Sequence, residues 1–252
     1  MRAKKSLGQN FLRLPTVFVT MIEAARLKEG ETVLEVGPGL GHLTDALLAA
    51  GARVVAVEKD DRLIGRLAEK FAAAIKNKQL ELIHADILDF SLQANKLKSY
   101  KLIANPPYYI TGRLLRRFLA SDQPPTLAVL MLQKEVAERI VTKNGKESLL
   151  SISVKVYGEP RYIQTIPAKY FSPQPKVDSA IVLINKISKD NFRTVNEKKF
   201  FTLLKHGFAG KRKMLKNNLA LPETVLAACQ TEPTTRAENL TLDQWLCLVK
   251  YC

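Results

Sequence analysis

The 252-residue chain contains no run of eighteen apolar residues, which excludes a transmembrane helix. Its opening, MRAKKSLGQNFL, is basic but lacks the apolar core of a secretory signal, and it is too short and too poor in serine for a transit peptide. Cysteine is scarce: Cys229, Cys247 and Cys252 all lie near the C-terminus. An odd number with no C-x-x-C spacing argues against a disulfide framework and against a zinc site, so free thiols in a reducing cytosol are expected and no metal is. There is no internal repeat and no low-complexity tract. Acidic residues are outnumbered, 24 against 39 basic ones, for a net charge of +15 and a pI near 9.7. Hydrophobic residues make up 46% and charged residues 25%, ordinary for a chain with a real core. The charge surplus calls for a polyanionic partner, either nucleic acid or an anionic membrane surface.

The first two-thirds alternates strand-like and helix-like segments. Strands are expected at Thr32–Gly37, Arg53–Glu58, Leu80–His84, Lys101–Ala104, Thr126–Leu132, Ser151–Tyr157 and Ser179–Ile184, and helices at His42–Ala50 and Leu63–Ile75. Such alternation implies an α/β fold with a mostly parallel sheet, whose ligands sit at the C-terminal ends of the strands. After Ile184 the segment NKISKDNFRTVNEKK is polar and reads as a hinge. From about Phe200 onward the pattern is helical. The division expected is a catalytic domain over 1–185 and a small all-helical domain over 186–252. Residues 181–252 carry 12 basic and 6 acidic residues, so the tail is dense in positive charge.

The strand TVLEVG runs into PGLGHLT, which places Gly37, Gly39 and Gly41 between a strand and a helix. Glycines there permit a sharp turn and close approach of a ligand to the backbone. A dinucleotide fingerprint would need glycine where His42 stands. The form E-x-G-x-G-x-G, with Glu35 inside the strand, instead resembles the first motif of class I methyltransferases that use S-adenosylmethionine. Glu58, at the end of the next strand, suits the ribose hydroxyls of such a cofactor. Asp86, after the third strand, suits its adenine amino group.

Asn105-Pro106-Pro107-Tyr108 follows the fourth strand and looks like the signature of methyltransferases that act on adenine amino groups. An exocyclic adenine nitrogen is a poor nucleophile because its lone pair is delocalised into the ring. Acceptors aimed at its two N–H bonds, here the Asn105 side-chain oxygen and the Pro106 carbonyl, draw the nitrogen toward tetrahedral geometry. Prolines restrict the loop, and Tyr108 offers a face for an extruded base. A sulfonium methyl is already activated, so positioning and electrostatics are left to supply the rate. In the helix that follows, Thr111 is placed to cap, Leu114, Leu115, Phe118 and Leu119 form the buried stripe, and Arg113, Arg116 and Arg117 share the opposite face, suited to phosphates.

Together these segments resemble the ribosomal RNA adenine dimethyltransferases. The resemblance spans Ser6–Leu12 (SLGQNFL), Glu35–Gly41 (EVGPGLG), Tyr170–Ser179 (YFSPQPKVDS), Lys211–Leu219 (KRKMLKNNL) and Arg236–Leu240 (RAENL). It implies that Asn10, Leu12, Glu35, Gly37, Gly39, Glu58, Asp86 and Asn105 hold S-adenosyl-L-methionine. It further implies that Asn105, Pro106 and Tyr108 form the target-base site, with Phe171 flanking the adenine opposite Tyr108. Lys4, Lys5, the three arginines, Lys211, Arg212, Lys213 and Lys216 are the expected RNA contacts. One departure is Pro106, where family members more often carry Leu or Ile; the backbone carbonyl is retained.

The resemblance implies transfer of methyl groups to N6 of two adjacent adenosines near the 3′ end of small-subunit 16S rRNA, by a cytoplasmic, monomeric enzyme acting on immature small subunits away from any membrane. A large-subunit 23S rRNA methyltransferase shares most of the motifs, but FSPQPKVDS and KRKMLKNNL favour the small-subunit group. An assembly or transcription factor on the same fold would not need an intact Glu58, Asp86 and NPPY. A DNA adenine methyltransferase would not need the helical tail.

Overall fold

The computed structural model describes residues 8–93, 97–210 and 212–251. In chain order its elements are β1 (Phe11–Leu12), α1 (Pro15–Ala24), β2 (Thr32–Val36), α2 (His42–Ala49), β3 (Arg53–Glu58), α3 (Asp61–Lys70), α4 (Ala72–Lys76), β4 (Leu80–His84), β5 (Lys101–Ala104), α5 (Thr111–Leu119), β6 (Leu127–Gln133), α6 (Lys134–Val141), α7 (Leu149–Lys155), β7 (Glu159–Ile166), β8 (Phe171–Ser172), β9 (Ser179–Asn185), α8 (Glu197–Ala209), α9 (Leu215–Leu219), α10 (Glu223–Ala228) and α11 (Leu242–Val249). No described helix is long and apolar enough to cross a membrane.

Two compact units result. One comprises Met1–Ala137 with Arg161–Ile187, the other Glu138–Pro160 with Ser188–Cys252. The second unit thus takes in residues 138–160, which a division of the chain at 185/186 leaves in the first.

Seven strands form one sheet in the order β4-β3-β2-β5-β6-β9-β7. The pairs from β4 through β6 are parallel, and β9 runs antiparallel to β6. The middle strands are apolar on both faces because helices cover both: Val33, Leu34 and Val36 of β2, Val54 to Val57 of β3, and Ala128 to Leu132 of β6 are all buried. Chain order reverses between β2 and β5. That switch point leaves a crevice at the strands' C-terminal ends. The glycine loop leaves β2 there, and the NPPY segment leaves β5 beside it. A two-residue sheet joins the ends of two distant motifs, Phe11 opposite Ser172 and Leu12 opposite Phe171.

Several local expectations are corrected. Residues 151–157 are not a strand, because Leu149–Lys155 is helical. SISVKV alternates like a strand, but Ser148 and Ser151 cap each other reciprocally and start a helix instead. Ile152, Val154 and Val156 are all fully buried, at the alternate positions that a strand would bury. The helix expected over Leu63–Ile75 breaks at Phe71 into α3 and α4. Thr111 does not cap α5: a 3-10 turn over Tyr108–Ile110 leads into it, and no side chain caps its first turn. The hinge expected after Ile184 is packed, with Phe192 against Tyr157, Phe200 and Phe201 at ring separations of 5.4 to 6.2 Å. The basic segment around Lys213 is helical only over Leu215–Leu219. Cys229 and Cys247 are joined in a disulfide. They lie 18 residues apart, but the end of α10 meets α11 with a Cα separation of 5.6 Å, within bridging range.

Candidate active site

One cavity lies at the switch point. It contains about 1020 Å³ of space, open solvent included. Asn10, Leu12, Glu35, Gly37, Gly39, Glu58, Asp86, Asn105, Pro106 and Tyr108 all line it.

The glycine loop forms the floor. Gly37, Gly39 and Gly41 have φ of +67°, +60° and +78°, a region that side chains disfavour. Gly41 is doubly constrained, since a Cβ there would stand 2.6 Å from the Phe71 ring. Phe11 lies across Gly39, and the His42 ring Nδ1 donates to the Leu12 carbonyl at 3.2 Å. The opening segment is thereby fastened to the loop.

The carboxylates have distinct roles. Glu35 is buried and accepts a 2.7 Å bond from the Thr44 hydroxyl. Burial pushes its carboxyl up to about 8, against the pull of Thr44 and with a further push from the Glu58 charge. It is therefore a neutral structural acid at physiological pH. Glu58 is also buried, and burial raises it too, but three backbone N–H groups counteract: Asp60 at 2.8 Å, Lys59 at 2.9 Å and Gly39 at 3.1 Å. A carboxylate has about four acceptor sites, so one remains for a ligand hydroxyl and the orientation is fixed. Asp86 accepts from Lys59 Nζ at 2.7 Å and from the Leu88 N–H at 2.9 Å. The Lys59 bond holds its carboxyl below the usual range.

Two contacts were not legible in the sequence. Buried Asp60 accepts from Gln9 Nε2 at 2.7 Å and, in a fork, from Arg62 at 2.8 and 2.6 Å. The Arg62 fork, helped by Gln9, keeps Asp60 well below the normal carboxyl range. Gln9 thus ties the opening segment to the end of β3. The second contact is Tyr108, whose hydroxyl bonds fully buried Ser179 at 2.6 Å. Burial raises this phenol, and Ser179 partly offsets the shift. Ser179 is the last residue of the PQPKVDS run, and its neighbour Asp178 accepts from the Ala168 N–H. The last residue of that motif therefore anchors the Tyr108 hydroxyl.

Asn105 contrasts with these groups. It is half-buried at the cavity, and its side-chain amide makes no hydrogen bond among the described residues. A constrained, half-desolvated amide without a protein partner is available to a ligand.

Other expected site residues fall elsewhere. Phe171 is 4% exposed within the core cluster and is absent from the cavity lining. The β1/β8 pairing sets Phe171 opposite Leu12, which itself lines the cavity. Arg113 and Arg116 are exposed on α5, but Arg117 is half-buried and donates to the Phe90 carbonyl, so it leaves the phosphate-facing set. Arg212 and Lys213 are exposed, and Lys216 pairs with Glu223 at 3.1 Å. Lys4, Lys5 and Lys211 lie outside the described residues.

A mostly parallel sheet with a glycine loop at its switch point, acceptors on successive strand ends and an NPPY turn on the neighbouring strand defines a Rossmann-like methyltransferase. Comparison with known proteins narrows this. The profile described as ribosomal RNA adenine dimethylase matches residues 1–252, and the chain belongs to that family. It is 44% identical over 262 residues to ribosomal RNA small subunit methyltransferase A of Dehalococcoides mccartyi, covering 99% of this chain and 89% of that protein. Among solved structures, a dimethyladenosine transferase from Plasmodium falciparum is similar at a TM-score of 0.82 and 26% identity, covering 96% of each chain. The 23S rRNA methyltransferase ErmE matches in fold at a TM-score of 0.78 and 24% identity, covering 96% of this chain and 98% of that one.

Proposed function

We propose that this protein transfers methyl groups from S-adenosyl-L-methionine to N6 of two adjacent adenosines near the 3′ end of small-subunit 16S rRNA, giving N6,N6-dimethyladenosines during small-subunit assembly. The observation that carries the reading is the unpartnered Asn105 amide, set in the same cavity as the spare acceptor of Glu58 and the carboxylate of Asp86.

The cavity's donor set fits the cofactor. Glu58 would take a ribose hydroxyl and Asp86 the adenine amino group, with Asn10, Leu12, Gly37 and Gly39 enclosing the remainder. When bound, S-adenosylmethionine supplies a methyl group on a sulfonium, activated without metal or covalent help. The chain's own residues do the rest. Asn105 Oδ1 and the Pro106 carbonyl accept the two N–H bonds of the target amino group and localise its lone pair. Tyr108, held by Ser179, gives the base a fixed face. A second transfer to the same nitrogen requires that one acceptor yield its place to the first methyl.

Phosphate contacts fall to Arg113 and Arg116 in the first unit and to Arg212, Lys213 and Lys216 in the second, with binding strongly dependent on salt. Lys4, Lys5 and Lys211 extend this set by sequence alone. The substrate adenosine must be unpaired or turned out of its stack. The enzyme acts as a monomer in the cytoplasm on immature small subunits.

The test offers labelled cofactor together with unmethylated small subunits, large-subunit RNA and duplex DNA. Label entering the small-subunit RNA as N6,N6-dimethyladenosine is expected. Label entering only the large-subunit RNA, or only DNA, contradicts the proposal.

A further inference from the structure

Asp60 is a buried charge that the proposed reaction leaves without a task. Its side chain is wholly shielded from solvent, yet it does not line the cavity. The carboxylate accepts the Arg62 fork at 2.8 and 2.6 Å and the Gln9 amide at 2.7 Å. The Asp60 backbone N–H donates to Glu58 Oε1 at 2.8 Å. One residue thus touches two walls of the cavity. Its backbone holds the carboxylate at the end of β3. Its side chain holds the opening segment, which contributes Gly8 to Leu12 to the lining.

The two donors to Asp60 differ in what they bring. Arg62 lies two residues on and closes a local loop at the start of α3. Gln9 lies 51 residues away and carries a separate segment with it. Phe11 over Gly39 and the Leu12 carbonyl on His42 fasten that segment beyond Asn10. Before Asn10 it is Gln9 that crosses to Asp60, while the Asn10 amide turns back to the Gly8 carbonyl at 3.2 Å. A bond from an amide to an ionised carboxylate is short and directional. A buried carboxylate also loses stabilisation whenever one of its donors leaves. The Gln9 bond is therefore a fixed distance between Asn10 on one wall and Glu58 on the other.

We infer that Gln9 and Asp60 are positioning residues for the cofactor: their hydrogen bond sets Asn10 and Leu12 at a fixed distance from Glu58, so that the opening segment and the end of β3 grip the cofactor together. The inference rests on the proposed S-adenosylmethionine site. It assigns to that site a residue, Asp60, that acts only through its neighbours.

The test measures binding of S-adenosylhomocysteine to the full chain by calorimetry. Loss of one charge-assisted bond predicts that Gln9→Ala weakens binding roughly tenfold. Gln9→Glu gives a readout that a merely structural role would not. At about pH 8 it sets two carboxylates against each other, and binding should be at least roughly tenfold weaker than the parent's. At about pH 5.5 the pair shares a proton, so the new acid donates to Asp60 as the amide did, and the deficit should shrink to about threefold or less. Taking the ratio to the parent at each pH removes the titration of groups common to both proteins, Glu35, Glu58, Asp86 and Arg62 among them. Adding Asp60→Asn to Gln9→Glu reverses donor and acceptor. The double variant should lose the pH dependence and bind no more weakly than Asp60→Asn alone. Should Asp60→Asn fail to fold, the Gln9→Glu profile decides by itself.

Parental affinity in Gln9→Ala overturns the inference. So does a Gln9→Glu deficit that is equal at the two pH values, which would mean that Gln9 touches the cofactor directly or serves the fold alone. If the parent binds no S-adenosylhomocysteine, the reading of the cavity falls and takes this inference with it. If the parent binds and Gln9→Ala binds equally well, only this inference falls.

Discussion

The two sides of the cavity are built on opposite terms. On the side of β2, β3 and β4, nearly every polar group already has a protein partner: Glu35 with Thr44, Glu58 with three backbone N–H groups, Asp60 with Arg62 and Gln9, Asp86 with Lys59. On the side of β5, the Asn105 amide has none among the described residues, and Tyr109 is half exposed. A side whose groups are satisfied and fixed is suited to holding a ligand in one pose at little cost in reorganisation. A side with an unsatisfied amide is suited to a group whose charge changes during reaction. The proposed function assigns binding to the first side and chemistry to the second, and substitutions on either side test that division.

The largest effect is expected on the open side. Asn105→Ala should slow methyl transfer by about 100- to 1,000-fold, the usual loss for one oriented polar group at a reacting centre. Equilibrium cofactor binding, followed by calorimetry, should change far less. On the satisfied side, Glu58→Gln removes a charge-assisted acceptor worth about 1.5–3 kcal/mol. Cofactor Kd should rise on the order of 10- to 100-fold.

Glu35 gives a prediction in pH rather than in affinity. Its folded carboxyl titrates near 8 against an ordinary 4.5, so the folded state holds the proton more tightly than the unfolded chain. Its contribution to stability is complete below pH 4.5 and is lost progressively as the pH rises to about 8, on the order of a few kcal/mol in all. Glu35→Gln stays neutral, so its denaturation midpoint should gain on the parent's across that window. Parallel curves for the two proteins would mean that Glu35 is not buried as described. Smallest of all, Ser179→Ala frees the Tyr108 hydroxyl at a cost of about 1 kcal/mol and should reduce transfer about fivefold, with cofactor affinity intact.

The satisfied side was largely legible in the sequence and the rest was less so. Glu35, Glu58, Asp86 and the glycines stand at the ends of regular strands, so periodicity alone brings them to one edge of a parallel sheet. Asn105 was legible for the same reason. What escaped depends on contacts between distant segments. Nothing near Gln9 points to Asp60, 51 residues on, and nothing near Tyr108 points to Ser179, 71 residues on. Phe171 and Arg117 carry the residue types their motifs require, but the β1/β8 pairing buries the first, and the Phe90 carbonyl engages the second. The Cys229–Cys247 bridge was missed because 18 residues of sequence conceal a helix-to-helix contact. Helix α7 was missed because SISVKV alternates polar and apolar residues with the period of a strand, while the Ser148–Ser151 capping pair starts a helix.

The division of labour is tested most directly by single-turnover methylation of small subunits by Glu58→Gln and Asn105→Ala, each first saturated with S-adenosylmethionine. Saturation should restore Glu58→Gln to within a few-fold of the parent and leave Asn105→Ala at least about 100-fold slow. Recovery of both variants, or of neither, would contradict the assignment of binding to one side of the cavity and chemistry to the other.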